Sequence, residues 1–162
     1  MEEIKAPWLK SYGEVPFHLD YPEGSISDAV LKTAEENPDF TALEFMGRKI
    51  SYSHTAKMIE KAAKSFVALG IKEGDKVVIC MPNVPQAIYC LYGLNRIGAI
   101  ASMIHPLSAV GEIVFYIKEA GADTVLTLDQ FYTKLVSVQE QIPLKNLIIT
   151  SVADELVPVK AA

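Results

Sequence analysis

Residues 76–106 read KVVICMPNVPQAIYCLYGLNRIGAIASMIHP and leave this chain few ways to fold. Residues 77–81 are an unbroken apolar run containing Val77, Val78 and Ile79, the composition of a strand buried on both faces. Pro82-Asn83 interrupts the run. Asn83 is the expected N-cap of a following helix, its side-chain oxygen meeting the free N–H groups of the first turn. Pro85 fits that turn because those N–H groups have no helical partners. The helix is expected to reach about Ile97, and Gly98 to close it in the left-handed conformation that ends many helices. Residues 99–104 form a second apolar strand, stopped by His105-Pro106. Strand, helix and strand of these lengths make a βαβ unit with a right-handed crossover. Two parallel buried strands need cover on both faces, so the flanking sequence has to supply helices.

It does so on both sides. Residues 25–37 read as a helix capped by Ser25 or Ser27, with Ile26, Val30, Leu31 and Ala34 at helical spacing and Pro38 ending it. Residues 41–52 alternate about Met46-Gly47, which predicts a β-hairpin. Ser53 is the expected cap of a longer helix to Leu69, closed by Gly70. Its Lys57, Glu60, Lys61 and Lys64 read as a solvated face. Downstream, Ser108 caps a helix closed by Gly121, and residues 123–128 form a strand. Asp129 caps a helix to Gln141, Pro143 stops it, and residues 147–150 form a last strand. The class is α/β: a mostly parallel sheet with helices on both faces, preceded by an irregular N-terminal arm and a β-hairpin. Three stretches are expected: an irregular arm over 1–24, whose aromatic residues pack it onto the body; helix, hairpin and helix over 25–75; and a βαβ-type sheet over 76–162. Residues 151–162 show no pattern, and the chain reads as incomplete at its C-terminus.

Composition excludes several classes. The chain has 162 residues and a net charge of −5, and Arg48 and Arg96 are its only arginines. Nucleic-acid binding needs clustered Lys and Arg, so no nucleic-acid partner is expected. Half of the residues are hydrophobic and mean hydropathy is +0.20. Even so, Asn83, Gln86, Asn95, Arg96 and His105 break the richest region well short of the ~20 apolar residues of a membrane span. The acidic opening MEEIKAPWLK has no apolar core of a secretory signal. Cys80 and Cys90 read as two reduced core thiols, and no Cys/His spacing suggests a metal site. The expected compartment is cytoplasmic.

Motifs for self-sufficient chemistry are lacking. Gly70-Ile-Lys-Glu-Gly74-Asp-Lys76 is one residue short of a phosphate loop and leads from helix into strand, the reverse of that motif. Neither G-x-G-x-x-G nor G-x-S-x-G occurs. Ligands of open parallel sheets bind beyond the carboxyl ends of the strands. Those ends carry Asn83, His105 with Ser108, Asp129 and Ser151. Helix capping explains Asn83, Ser108 and Asp129 without a ligand; His105 is the least explained.

Several stretches, in order, resemble the N-terminal part of the AMP-forming acyl-CoA synthetases, the adenylate-forming ligase superfamily, and most of all its long-chain fatty-acid–CoA ligases. Pro7-Trp8-Leu-Lys-Ser-Tyr12 with Val15-Pro16 and Tyr21-Pro22 is similar to their opening. Ala42-Leu43-Glu-Phe45, Gly47-Arg48 and Ile50-Ser51-Tyr52 resemble the family's hairpin and first core motif. Leu69-Gly70-Ile71, Gly74-Asp75-Lys76-Val77 and Pro82-Asn83 match the next block. Gly98-Ala99-Ile100, Pro106 and Glu112-Ile113 resemble the second core motif. His105 departs from the pattern, the family often having asparagine before this proline.

The resemblance implies a two-step reaction. A fatty carboxylate attacks the α-phosphate of ATP with Mg²⁺, giving acyl-AMP and pyrophosphate; the thiol of coenzyme A then displaces AMP. The family places its Ser/Thr/Gly-rich phosphate loop, its ribose-binding aspartate and its C-terminal lysine domain after the region matched here. The resemblance therefore assigns no catalytic, cofactor-binding or metal-ligating residue. It assigns scaffold: Tyr52, Gly70, Gly74, Asp75, Gly98 and Pro106. The loop bearing His105, Leu107 and Ser108 is the one surface expected to approach ligand. The implied partners are the remainder of a parent chain, fatty acid, ATP and coenzyme A. The hairpin is expected to lack further strand partners, and exposed apolar surface to drive self-association. A stand-alone binding module that kept the scaffold without the chemistry is the alternative reading.

Overall fold

A computed structural model describes residues 6–156. The expectations for residues 1–5 and 157–162 lie outside the described residues. After a 3-10 turn over Pro7–Ser11 the elements are α1 Ile26–Glu36, β1 Thr41–Phe45, β2 Arg48–Ser51 and α2 Tyr52–Ala68. There follow β3 Lys76–Cys80, α3 Pro85–Arg96, β4 Ile100–Ile104, α4 Val110–Ala120 and β5 Thr124–Leu128. A 3-10 turn over Asp129–Phe131, then α5 Tyr132–Gln139, β6 Asn146–Thr150 and a 3-10 turn over Val152–Glu155 complete the order.

The four later strands form one parallel sheet in the order β4-β3-β5-β6. Val78 lies opposite Ser102 on one side and Val125 on the other, and Val125 lies opposite Leu147. The hairpin β1–β2 is a separate two-stranded antiparallel sheet with no other strand partner among the described residues, as expected. Its turn residues Met46 and Gly47 both have positive φ, 48° and 79°, the backbone that lets a two-residue turn follow strand twist.

Right-handed crossovers decide which helices cover which face. The step from β3 to β4 runs opposite to the steps from β4 to β5 and from β5 to β6, so α3 covers one face and α4 and α5 the other. Val77, Ile79, Leu126 and Leu128 pack with Phe66 of α2 and with Ala87 and Leu94 of α3. Val78, Cys80 and Val125 pack with Ile113 and Ile117 of α4 and Leu135 and Val138 of α5. Each Val, Leu, Ile or Phe among them contributes about 1.5–3 kcal/mol when fully buried. Alternate residues of β3 thus feed two cores, which is why residues 77–80 are all apolar. α2 and α3 cross closely at Gly93, where a Cβ would lie 2.9 Å from Ala62 Cβ and 3.1 Å from the Ala63 nitrogen.

The glycines expected to close helices all have positive φ: Gly70 at 81°, Gly98 at 74° and Gly121 at 64°. The N-caps are corrected at four places. Ser51, not Ser53, caps α2: its Oγ accepts the His54 N–H at 3.2 Å, and Tyr52 is the first helical residue. Val84, not Asn83, precedes α3 and makes no side-chain cap. The Val84 N–H is already turned onto the Pro82 carbonyl at 2.9 Å, leaving Asn83 outside the helix and exposed. Ala109, not Ser108, stands at the start of α4, where Glu112 reaches back to accept the Ala109 N–H at 3.0 Å. Asp129 opens the 3-10 turn, its carboxylate accepting the Gln130 N–H at 2.8 Å, and α5 begins later at Tyr132. Ser25 caps α1 as expected, in a reciprocal pair with Asp28.

The N-terminal arm also differs from expectation. Trp8, Phe17 and Tyr21 are exposed, and among the described residues the arm's one ring–ring contact is internal, Tyr12 against Phe17 at 5.8 Å. Alternating breakers keep the segment from presenting a continuous apolar face to the body. Residues 151–156, without pattern in the sequence, instead carry an ordered turn: Ser151 and Asp154 bond each other's end of it, and Glu155 is buried.

Candidate functional site

The crossover from β3 runs outward to β4 and that from β5 outward to β6, so the connections diverge between these two neighbouring strands. In open α/β sheets, that reversal opens a crevice beyond the carboxyl ends of the strands. Here the segments that leave those two strands are Met81–Asn83 after β3 and Asp129–Gln130 after β5. The loop after β4 and Ser151 after β6 lie to either side.

The loop after β4 is built as a braced turn. His105 Nδ1 accepts the Leu107 N–H at 3.2 Å, and the His105 carbonyl accepts the Ser108 N–H at 3.2 Å. Lys134 of α5 donates to the Pro106 carbonyl at 2.9 Å and the Ser108 carbonyl at 3.1 Å. Pro106 is buried, while His105 and Leu107 are exposed. An open groove of about 530 Å³ runs along this loop and the outer edge of β4, lined by Met103, Ile104, His105, Ser108 and Tyr116.

A second polar cluster, not anticipated from the sequence, ties the hairpin to the sheet. Arg48 of β2 pairs with Glu155 at 2.9 Å, Arg48 being 28% and Glu155 5% exposed. Gln86 in the first turn of α3 donates to the Ser151 carbonyl at 2.7 Å. Tyr89 lies beneath, 2% exposed, with its ring 6.4 Å from that of His54. The Tyr89 hydroxyl, Gln86 Oε1 and His54 Nε2 are buried without hydrogen-bond partners among the described residues. Burial, with the Glu155 charge adding to it, pushes the Tyr89 hydroxyl up to about 12. A glutamine at the second helical position is an ordinary surface choice, so the sequence carried no signal of this link.

Ionisable chemistry is otherwise subdued. Both cysteines are free, and burial pushes the Cys80 thiol up to about 11 and the Cys90 thiol up to about 12. Both are protonated at neutral pH, in keeping with core thiols. Among the described residues no three His, Cys, Asp or Glu side chains come together as a metal site would require.

The scaffold residues fall at junctions. The Tyr52 N–H bonds the Phe40 carbonyl at 2.9 Å. The Gly74 N–H reaches the Gly98 carbonyl at 2.9 Å, and the Asp75 carbonyl accepts the Ile100 N–H at 2.8 Å. The Asp75 carboxylate accepts the Lys72 N–H at 2.8 Å. Gly98 packs on Glu73, where a Cβ would lie 2.8 Å from the Glu73 Cγ. Gly70, Gly74, Asp75 and Gly98 thus set the entries of β3 and β4 at the amino end of the sheet, opposite the crevice. Of the site residues, only Pro106 joins His105, Leu107 and Ser108 at the carboxyl end.

The sequence matches the AMP-binding enzyme family over residues 30–160. It is 28% identical to a long-chain-fatty-acid–CoA ligase of Bacillus subtilis over 95% of this chain, and 28% identical to one of Haemophilus influenzae over 96%. In both cases the match spans only 28% of the relative's length. The fold is like that of the inhibitor-bound N-terminal domain of FACL13 from Mycobacterium tuberculosis, with a TM-score of 0.74 at 23% identity. That match covers 80% of this chain and 34% of the other. A long-chain-fatty-acid-CoA ligase of Archaeoglobus fulgidus gives a TM-score of 0.75 at 20% identity, covering 84% of this chain and 30% of the other.

Proposed function

We propose, from the premise that this chain belongs to the AMP-binding enzyme family, that it is the N-terminal scaffold of a fatty-acid–CoA ligase. The reaction of that ligase is activation of a long-chain carboxylate by ATP to acyl-AMP, then transfer of the acyl group to coenzyme A. One observation carries the reading: ligases of this class match nearly the whole chain, while the chain spans barely more than a quarter of their length.

On this reading ATP and Mg²⁺ are held by the remainder of the parent chain. His105 Nδ1 and the Asp129 carboxylate are engaged by backbone N–H groups of their own turns, and Lys134 is committed to two carbonyls. No step is therefore assigned to these side chains. What they do is hold shape: the braced 105–108 turn offers a fixed surface at the carboxyl end of the sheet. Residues 25–75 contribute α1, the hairpin and α2 as one part of the parent body, and residues 76–156 contribute its sheet. No helix among the described residues is long and apolar enough to cross a membrane; a cytoplasmic enzyme fits that and the unpaired thiols.

The test is to determine the intact mass of the native polypeptide and its coding sequence past Ala162, and to assay ATP–pyrophosphate exchange with a long-chain fatty acid. The expected native chain continues into a Ser/Thr/Gly-rich loop ending in Pro-Lys-Gly and catalyses exchange, while residues 1–162 alone give none. Exchange by the 162-residue chain alone, or a longer native chain inert with every fatty acid tried, overturns the reading.

A further inference from the structure

The face of the sheet under α2 and α3 is unevenly covered. Of the three crossovers, only that from β3 to β4 lies on this face; the other two send α4 and α5 to the opposite one. α2 and α3 pack on β3 and β5, while Ile148 and Thr150 of β6 are only half-buried. A cavity of about 170 Å³ opens there, walled by Met58 and Ala62 of α2, Tyr89 and Cys90 of α3, Leu126 of β5 and Ile148 of β6. Gln86 belongs to the same wall, and its Oε1 and the Tyr89 hydroxyl are buried without a partner among the described residues. Parallel sheets are covered on both faces, and buried polar groups of native proteins are almost all paired. Both conditions are unmet at the same place.

We propose that a helix from the remainder of the parent chain docks over β6 beside α3 and seats an apolar side chain in this cavity. The inference rests on the reading of this chain as the N-terminal scaffold of a longer ligase. The matched region spans 28% of the relatives' length, so on that reading most of the parent chain lies outside residues 1–162. The chain that leaves β6 is tied at the cavity's own edge: Gln86 donates to the Ser151 carbonyl at 2.7 Å, and Arg48 holds Glu155 at 2.9 Å. A segment that follows on the same chain is held near the cavity at an effective concentration on the order of millimolar, against which a second copy or a free ligand has to compete from solution. An occupant with a hydrogen-bond donor beside its apolar side chain completes both the packing and the pairing of Gln86 Oε1.

Ser65 and Lys61 of α2 are exposed and stand at the mouth of the cavity. The experiment places Ser65→Cys in the native full-length chain and in residues 1–162, and follows labelling by a maleimide. Labelling is expected to be about tenfold or more slower in the native chain, and unfolding in urea to remove the difference. Benzoylphenylalanine in place of Lys61, irradiated in the native chain, is expected to cross-link α2 to a peptide beyond residue 162 of the same molecule, read by mass spectrometry of the monomeric product. A longer native chain in which Ser65→Cys labels as fast as in residues 1–162 overturns this inference and leaves the ligase reading standing. So does protection that appears only on adding a long-chain fatty acid, which gives the cavity to an acyl chain, or a cross-link to a second copy. A native chain that stops at Ala162 overturns both.

Discussion

The Arg48 guanidinium donates to the Glu155 carboxylate at 2.9 Å across 107 residues of sequence. It joins the strand after the hairpin turn to the last described turn of the chain, over the buried Tyr89. Removing one partner of a buried pair strands the other charge, typically at about 3–5 kcal/mol. Arg48 is partly solvated, so we expect about 2 kcal/mol for Arg48→Met, below that range. Urea unfolding checks this. Arg48→Met combined with Glu155→Leu is expected to be less destabilising than the two single losses added together, because the double variant buries no orphan charge.

Gly93 and Gly111 are both helical glycines, yet they should respond oppositely to alanine. The Gly93 Cβ position is already crowded by Ala62 and Ala63, so Gly93→Ala forces α2 and α3 apart at a cost of about 1–3 kcal/mol. Nothing lies within 4 Å of a Cβ at Gly111, so Gly111→Ala should stabilise by about 0.5 kcal/mol through reduced freedom of the unfolded chain. Thermal melts of the two variants should move in opposite directions from the parent.

Lys134 braces the turn that bears His105. Lys134→Met removes two donors to the Pro106 and Ser108 carbonyls while keeping the apolar stem, a loss of about 1–2 kcal/mol. Amide exchange at Leu107 and Ser108 is expected to quicken about 5–30-fold, with the strands of the sheet unchanged. Equal quickening throughout the sheet would show instead that the lysine supports the whole core.

Alkaline pH should loosen the core through its thiols and Tyr89. The unfolded thiols ionise near 9.0, whereas in the fold they hold their protons to about 11 and 12. Between those values the unfolded state binds fewer protons than the native state, so stability falls as pH rises. The Tyr89 hydroxyl acts in the same sense from an ordinary 10.0 to about 12. Stability is expected to be independent of these groups below about pH 8 and to fall from pH 9 upward. Denaturant midpoints over pH 7–11 check the slope. A thiol reagent at pH 7.5 should modify Cys80 only after unfolding.

Much of this architecture is written locally. The apolar run 77–81, the three helix-closing glycines and the Met46-Gly47 turn each report their own backbone, and β3, the helix ends and the hairpin stand where those signals place them. Helix starts were less legible, because a cap is decided by which neighbouring carbonyl has already taken an N–H. Asn83 and Ser108 look like caps, but the Val84 and Ser108 N–H groups are used in tight turns. The link from Gln86 to Ser151 and the pair of Arg48 with Glu155 were not legible at all. Each joins residues more than sixty positions apart, and neither side chain differs in type from an ordinary surface residue.

The strand order has a consequence for how the chain is made. β3 leaves the ribosome first among the sheet strands, yet it sits in the interior, and its second neighbour, β5, ends only at Leu128. At about 5–20 residues per second, the roughly fifty residues between Cys80 and Leu128 take about 2–10 s to appear. Once α3 and β4 have appeared within that interval, Val77 to Cys80 have β4 on one edge and α2 and α3 over one face, while the face that α4 and α5 will cover stands open. The nascent chain therefore passes through a seconds-long period in which its most apolar strand is half clothed, when a chaperone has the most to hold.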